Sequence, residues 1–197
     1  MRPNVISDKL IDMADESSQA VDTPAILGWL ARRAHAIHRV LYLLIVVLIF
    51  AFDQMTKSFV ECTIPHGVAV PVIPGFFDLT HTENSGIAFS LFAGASDSWK
   101  MVLMIGVSIA LLIAVVIVAL KSKEMNWGTG VGLALVVGGA CSNLLDRIRF
   151  GQVLDFLDFY HRSFHWATFN LADSAIVAGA GLLLLEILFS KQKTDAR

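Results

Sequence analysis

The sequence predicts an all-α membrane protein with four transmembrane helices and a small strand-containing extracytoplasmic subdomain between helices one and two. Of its 197 residues, 55% are hydrophobic and only 16% are charged, and the mean hydropathy is +0.66. This composition is typical of polytopic membrane proteins and excludes a soluble domain. The formal net charge of -2 argues against nucleic acid as a partner.

The segment before the first apolar stretch has two parts. Residues 1–22 are polar and acidic and lack the apolar core of a secretory signal, so we expect a flexible cytoplasmic extension. In residues 23–39, Thr23 can cap a helix that has Pro24 at its first position, and apolar residues recur at helical spacing beside arginines. This pattern predicts an amphipathic helix on the cytoplasmic membrane face, with a plain extension of the first span as the alternative.

Four apolar segments have the roughly 20 residues that a helix needs to cross a bilayer. The first carries Asp53 and Lys57 near its far end, and the third is rich in glycine, which permits close helix packing in lipid. Cys62 and Cys141 are too few for a disulfide framework, so we expect packed thiols. The predicted spans are residues 40–60, 101–120, 127–145 and 171–189.

The distribution of Lys and Arg predicts the orientation, because short positively charged loops tend to stay in the cytoplasm. Basic residues precede the first span, separate the second from the third, and follow the fourth in the tail 191–197. Residues 61–99 contain no Lys or Arg. Both termini are therefore predicted to be cytoplasmic, and residues 61–99 and 146–170 extracytoplasmic, although the latter connection contains three arginines against the rule.

The first outer connection carries the predicted strands. Three prolines and Gly75 are followed by an extended run rich in threonine and aromatic residues at 76–83. Such a run is typical of short strands. It ends at Asn84, after which Gly86 allows a tight backbone turn and Phe89 is expected to dip into the membrane.

Polar residues converge at one depth on the outer side of this topology. We expect Asp53 to pair with Lys57, one helical turn away, and Asp146 to pair with Arg147, both pairs holding the bundle together. The asparagines at this depth are expected to act as helix caps and hydrogen-bonding struts. They are Asn84, Asn143 and Asn170.

Two further aspartates have no obvious local cation. Asp155 lies in the second outer connection, and Asp173 lies at the start of the fourth span. Ionisable groups at the edge of hydrocarbon are costly and are usually functional. Two carboxylates held close together cannot both ionise cheaply, so one keeps a proton and the pair suits acid/base chemistry.

Five motifs follow one another along the chain, each at a defined place among the four spans. They are Asp53-Gln-Met-Thr56-Lys57, Asn84-Ser-Gly86-Ile-Ala88-Phe89, Gly138-Gly-Ala-Cys-Ser-Asn143-Leu-Leu-Asp146-Arg147, Gly151-Gln-Val153-Leu-Asp155-Phe156 and Phe169-Asn170-Leu-Ala172-Asp173-Ser174.

Taken together, these motifs resemble the signal peptidase II family, the bacterial lipoprotein signal peptidases, over about residues 40–190. One departure is Ser142, which stands where the family usually has glycine. The resemblance implies that Asp155 and Asp173 form the catalytic pair of an aspartyl endopeptidase. Its substrate would be a prolipoprotein whose lipobox cysteine carries diacylglycerol, and the cut would fall just before that cysteine.

The resemblance has further implications for partners and location. It implies a multi-pass protein of the bacterial inner membrane, with the active site near the extracytoplasmic face. Membrane lipid and prolipoprotein are the expected partners, the protein is expected to be a monomer, and no metal or other cofactor is expected. Residues that would bind substrate or support the pair are Asn84, Gly86, Asn143, Arg147 and Asn170.

Three other functions compete with this interpretation. His161 and His165 could be two zinc ligands one helical turn apart, but no Glu follows the first histidine. A small proton-coupled transporter would also place carboxylates in a helical bundle, although usually near the midplane and with internal repeats. A structural assembly factor predicts that the carboxylates are replaceable.

Overall fold

Four long helices dominate the molecule. The structure, a computed structural model, describes residues 23–85, 97–121 and 125–195. Each helix contains a stretch that is long and apolar enough to cross a membrane, namely Ala36–Thr63, Met101–Lys121, Trp127–Phe150 and Leu171–Phe189. The prediction of four helices that are long and apolar enough to span a membrane is therefore confirmed. The helices are α1 (Thr23–Thr63), α2 (Asp97–Lys121), α3 (Trp127–Phe150) and α4 (Leu171–Asp195).

The chain divides into two compact units, residues 1–40 and 41–197. In the first, the predicted helix 23–39 is present as the beginning of α1, which continues without a break. The continuous helix corresponds to the alternative of a plain extension, and a position on the membrane face stays a prediction. The predicted flexible segment 1–22 and the turn at Gly86 and Phe89 lie outside the described residues. All functional residues discussed below belong to the second unit.

Two helices end five or more residues after the ends predicted for their spans. α3 continues to Phe150, five residues past the predicted end at Leu145, and stops at Gly151, whose φ of 76° is the left-handed conformation typical of a helix C-cap. α4 continues through most of the predicted tail to Asp195. The predicted connection 146–170 therefore starts inside a helix, which gives Asp146 and Arg147 fixed helical positions.

A small antiparallel sheet covers residues from two separate connections. Its strands are β1 (Ala69–Ile73), β2 (Phe77–Asn84), β3 (Val153–His161) and β4 (Phe164–His165), in the order β1-β2-β3-β4. The strands predicted between helices one and two are present as β1 and β2. The sheet also contains β3 and β4, which come from the connection between α3 and α4 and were not part of the prediction.

A bulge lies beside one of the two aspartates. Leu79 pairs with Leu157 and Thr82 pairs with Asp155, so β2 has one more residue than β3 between these two pairs. Extra residues of this kind bend a strand and redirect the side chains next to them. Beyond the bulge, Asn84 pairs with Val153. The last residue of β2 thus lies diagonally across from Asp155.

Glycines bring α3 and α4 into close contact, as the small-residue composition of the third span predicted. A Cβ at Gly139 would overlap the main-chain oxygen of Ala172, and a Cβ at Gly179 would lie 2.6 Å from the main-chain oxygen of Gly132. Such contacts between main chains are typical of small-residue interfaces in membranes. They hold the first turn of α4 directly against the middle of α3.

Candidate active site

Asp155 lies on β3 and is completely buried. Asn170 Nδ2 donates to its Oδ1 at 2.7 Å, and Asn84 Nδ2 donates to its Oδ2 at 2.8 Å. The two amides come from different connections, so the strand pairing of β2 with β3 and the entry into α4 both determine the position of this carboxyl group. A buried carboxylate needs such donors.

Asp173 lies in the first turn of α4 and takes part in the capping of that helix. Asp173 N donates to Asn170 Oδ1 at 2.8 Å, and Asn170 N donates in return to Asp173 Oδ2 at 3.3 Å. This reciprocal arrangement is a capping box built from Asn and Asp. A carboxylate in this position is also stabilised by the helix dipole. Its other oxygen, Oδ1, accepts a hydrogen bond from Asn143 Nδ2 at 2.8 Å.

Asn170 therefore bridges the two carboxyl groups, which influence each other electrostatically. Burial raises the pKa of Asp155 to about 6, and the negative charge of Asp173 contributes to the rise. Hydrogen bonds from Asn84 and Asn170 and the charge of Lys57 oppose it. The structure thus brings together the two aspartates that the sequence analysis singled out, in an arrangement where one of them holds a proton up to nearly neutral pH.

Replacing Asn170 with Ala is expected to cost more stability than replacing an ordinary capping asparagine. The change removes the cap of α4 and leaves Asp155 Oδ1 without its donor, so we expect a loss of about 2–4 kcal/mol. Asn126 provides the matched control, because it caps α3 by accepting from Thr129 N at 2.7 Å and also donates to a carboxylate, Glu186 Oε2 at 2.7 Å, but in an exposed place. Asn126→Ala is expected to cost about 1 kcal/mol. Unfolding of the purified variants in detergent measures both, and equal losses would contradict the bridging role.

A buried ion cluster of Lys57, Asp53 and Asp146 lies next to the first turn of α4, which carries Asp173. Lys57 Nζ is 2.6 Å from Asp53 Oδ2 and 2.6 Å from Asp146 Oδ2. The predicted pair of Asp53 with Lys57 is thus present. The expected partner of Asp146 was Arg147, but Asp146 pairs with Lys57 across the helices. Arg147 Nη1 donates instead to the main-chain oxygen of Asn143 at 3.3 Å. Adjacent residues on a helix point in different directions, which disfavours a direct pair.

The same cluster contains two residues to which the sequence analysis gave no role. Ser142 is completely buried, and its hydroxyl donates to Asp53 Oδ2 at 2.7 Å. Gln54 Nε2 donates to Ser142 Oγ at 3.0 Å and to Asp146 Oδ1 at 2.7 Å. Asp53 Oδ1 also accepts from Ala172 N at 2.8 Å. Ser142, noted only as a departure from glycine, therefore supplies a hydrogen bond to the cluster.

Arg147 is a second cation near the two aspartates, besides Lys57. The residue is half-buried, and its guanidinium group interacts electrostatically with Asp173, Asp155 and Asp146. Within the described residues, its Nε is buried without a hydrogen-bond partner. The two aspartates have no cation close to them in the sequence, but the fold brings Arg147 near both of them.

The predicted substrate-binding residue Gly86 and the two candidate zinc ligands remain to be placed. Gly86 lies outside the described residues. His161 and His165 lie on β3 and β4 and do not share a helical face, and His165 Nδ1 is 2.9 Å from Asp158 Oδ2. Across the ranges that the structure describes, no group of three or more residues is arranged to hold a metal ion. The zinc interpretation has no structural support from its two histidines.

Comparison with known proteins identifies the family. The sequence model of the family described as signal peptidase (SPase) II matches residues 45–189. The lipoprotein signal peptidase of Solibacter usitatus is 40% identical over 149 residues, which cover 76% of this chain and 91% of that protein. That of Desulforapulum autotrophicum is 40% identical over 148 residues, with 75% and 91% covered. A solved bacterial membrane enzyme is 32% identical with a TM-score of 0.68, covering 77% of this chain and 90% of its own. These matches show that the chain is a multi-pass membrane peptidase that belongs to the signal peptidase II family.

Proposed function

We propose that this enzyme removes the signal peptide from diacylglyceryl-modified prolipoproteins and cuts just before the lipidated cysteine, with Asp155 and Asp173 as its catalytic pair. The observation that carries the proposal is the bridge between two carboxyl groups, because Asn170 contacts Asp155 Oδ1 and both the main chain and side chain of Asp173. A pair held in this way titrates as a unit and supplies one acid and one base.

The two aspartates divide the chemistry according to which one holds the proton. Burial raises the pKa of Asp155 to about 6, so we assign it as the neutral member, which donates a hydrogen bond to the scissile carbonyl oxygen. Asp173, in the first turn of α4, is assigned as the member that takes a proton from water while the water oxygen attacks the carbonyl carbon. When the C–N bond breaks, this proton passes to the leaving amine of the cysteine. The pair then returns to its starting state.

Nearby donors would hold the substrate peptide. Arg147 would donate to a substrate carbonyl from its guanidinium group, since the residue is only half-buried. Asn84 donates to Asp155 from the end of β2, where it also adjoins the segment that starts at Gly86. The peptide would therefore enter between the end of the sheet and the first turn of α4. Asn143 and Asn170 would keep the carboxyl groups in place rather than contact the cut bond.

The location of the pair suits a substrate anchored in lipid. The ends of α1 and α3 and the beginning of α4 contribute to the same cluster, so the site lies at one end of the spans. The distribution of basic residues would make this the extracytoplasmic end of a bacterial inner-membrane protein. There, the diacylglyceryl group would remain in the bilayer while the peptide bond reaches the aspartates.

Cleavage of a defined substrate tests the proposal. Purified protein in detergent is incubated with a diacylglyceryl-modified prolipoprotein, and the loss of the signal peptide is followed on a gel and by mass spectrometry. We expect a product whose N-terminal residue is the lipidated cysteine. The same prolipoprotein without the lipid is the control and should be cut far more slowly. Absence of cleavage of the lipidated form by well-folded protein would reject the function.

The pH dependence of kcat/KM is expected to have two limbs. As the pH rises through about 6, Asp155 loses the proton that the mechanism requires, so the rate falls on the alkaline side. On the acidic side the rate falls when the pair takes up a second proton. Initial rates in a series of buffers at constant ionic strength measure this profile. A rate that is constant from about pH 4 to pH 9, where coupled carboxylates titrate, would contradict a shared proton.

A further inference from the structure

Lys57 makes three short contacts in the interior and uses all of its donors. Its Nζ lies 2.6 Å from Asp53 Oδ2, 2.6 Å from Asp146 Oδ2 and 2.9 Å from Asn143 Oδ1, and only 6% of its side chain is exposed. We propose that Lys57 is a positioning residue for the reaction, which fixes Asp173 through Asn143 and through the first turn of α4. The inference rests on the proposed function of the aspartate pair.

The first route runs through the side-chain amide of Asn143. A lysine ammonium group has three donors and no acceptor, so the atom of Asn143 that faces Lys57 has to be the oxygen. The amide nitrogen is then directed to the other side, where Asn143 Nδ2 donates to Asp173 Oδ1 at 2.8 Å. Without Lys57, Asn143 Oδ1 would keep only the longer hydrogen bond from Asn170 Nδ2 at 3.3 Å, and the amide would be held less firmly. Lys57 thus fixes the position of the amide that holds Asp173.

The second route runs through Asp53. Its Oδ2 contacts Lys57, and its Oδ1 accepts from Ala172 N at 2.8 Å. Ala172 directly precedes Asp173 in the first turn of α4. The ion pair therefore holds the main chain beside Asp173 while the amide route holds its side chain.

A simpler explanation for the buried Lys57 is that it only balances the charge of the two carboxylates. The buried cluster contains two carboxylates and one ammonium group. Removing charges from the interior as a balanced set is often neutral for stability, because the desolvation cost disappears with them. Charge balance therefore predicts that a balanced replacement restores both fold and activity. The positioning role predicts that such a replacement restores the fold but not the rate.

The main experiment compares Asp146→Asn with the double variant Lys57→Met/Asp146→Asn. In the double variant the one buried carboxylate left in the cluster is Asp53, which keeps its bonds from Ala172 N and Ser142 Oγ. We expect its thermal midpoint to stay close to that of the wild type, because one carboxylate is removed together with the ammonium group. We expect its kcat to fall by about 10²-fold at unchanged KM, because small displacements of a reacting group have effects of this size. Equal kcat values for the two variants would overturn the inference.

Two further variants test the inference without relying on the Lys57→Met/Asp146→Asn variant alone. Adding Asn143→Ala to the double variant should lower kcat by less than it does in the Asp146→Asn background, because Lys57 acts partly through that amide. An equal effect in both backgrounds would overturn the amide route. Lys57→Arg keeps the charge, and hence the fold, but its planar group cannot contact all three acceptors in the same way. We expect about 10-fold lower kcat, and a wild-type rate would overturn the role of geometry.

The design separates failure of the inference from failure of the proposed function. Cleavage by the wild-type enzyme, together with its loss in Asp155→Asn, tests the function without reference to Lys57. If that result is obtained and the Lys57 variants cleave at the rate of their references, only the positioning role is rejected. Lys121→Met, which changes an exposed lysine at the end of α2, should leave kcat unchanged.

Discussion

Asp155→Asn and Asp173→Asn are each expected to lower kcat by about 10³-fold or more, because each change removes one half of the acid and base pair. An asparagine at either position cannot exchange protons with water. The hydrogen bonds add to the effect. Asp155 accepts from two amides, so an amide in its place would set an N–H group against a donor. Rates of prolipoprotein cleavage measured with enzyme in excess give the size of the loss.

Asp158→Asn is the matched control for the strand aspartate. Asp158 lies on β3 three residues after Asp155 and is also buried, but it contacts His165 rather than the pair. We expect this variant to keep most of the wild-type rate. Thermal midpoints in detergent show whether each variant is folded. Cleavage at more than about one tenth of the wild-type rate by folded Asp155→Asn or Asp173→Asn would reject the assignment of the catalytic pair.

Gly139→Ala is expected to damage both the fold and the reaction. The added Cβ would overlap the main-chain oxygen of Ala172 and would lie 2.9 Å from Ile176 Cγ1, so α4 has to move away from α3. Overpacking of this kind costs about 1–3 kcal/mol. Asn143 lies one turn after Gly139 and Asp173 directly follows Ala172, so the movement also separates a donor from its carboxylate. We expect kcat to fall by about 10²-fold.

Gly181→Ala and Gly106→Ala are the controls for this substitution. Both glycines lie within helices, and a Cβ at either position meets nothing within 4 Å among the described residues. Because alanine favours the helix over glycine, these variants should be as stable as the wild type or more stable by up to about 1 kcal/mol. Thermal midpoints and cleavage rates of the three variants are compared. A Gly139→Ala enzyme with the stability and rate of the controls would show that the close helix contact has no functional importance.

The four spans were predictable because the signal for a transmembrane helix is local. About 20 apolar residues in a row need no partner elsewhere in the chain to identify them. The strand β3 gave no such signal, because its two aspartates interrupt the apolar alternation within residues 153–161. Its pairing with β2 joins residues about 70 positions apart, as in the contact of Asn84 with Asp155. Pairing across this distance depends on the fold and not on local preference.

The candidate site was predictable as a set of residues but not as a set of contacts. Asp53 and Lys57 could be paired from the sequence because they are four residues apart on one helix. The partner of Asp146 could not, since it comes from a different helix. Nor could the hydroxyl of Ser142 be assigned, because Asp53, which accepts its hydrogen bond, is 89 residues away.

The sequence by itself determined the membrane class, the number of spans and the residue types available for catalysis, since composition and motif order are properties of the chain. Only the tertiary structure decided how strongly Asp155 holds a proton and which groups contact its carboxyl oxygens. The physical reason is that burial and hydrogen bonding set the pKa of a carboxyl group. For Asp155, both depend on amides at positions 84 and 170, which the folded chain alone brings together.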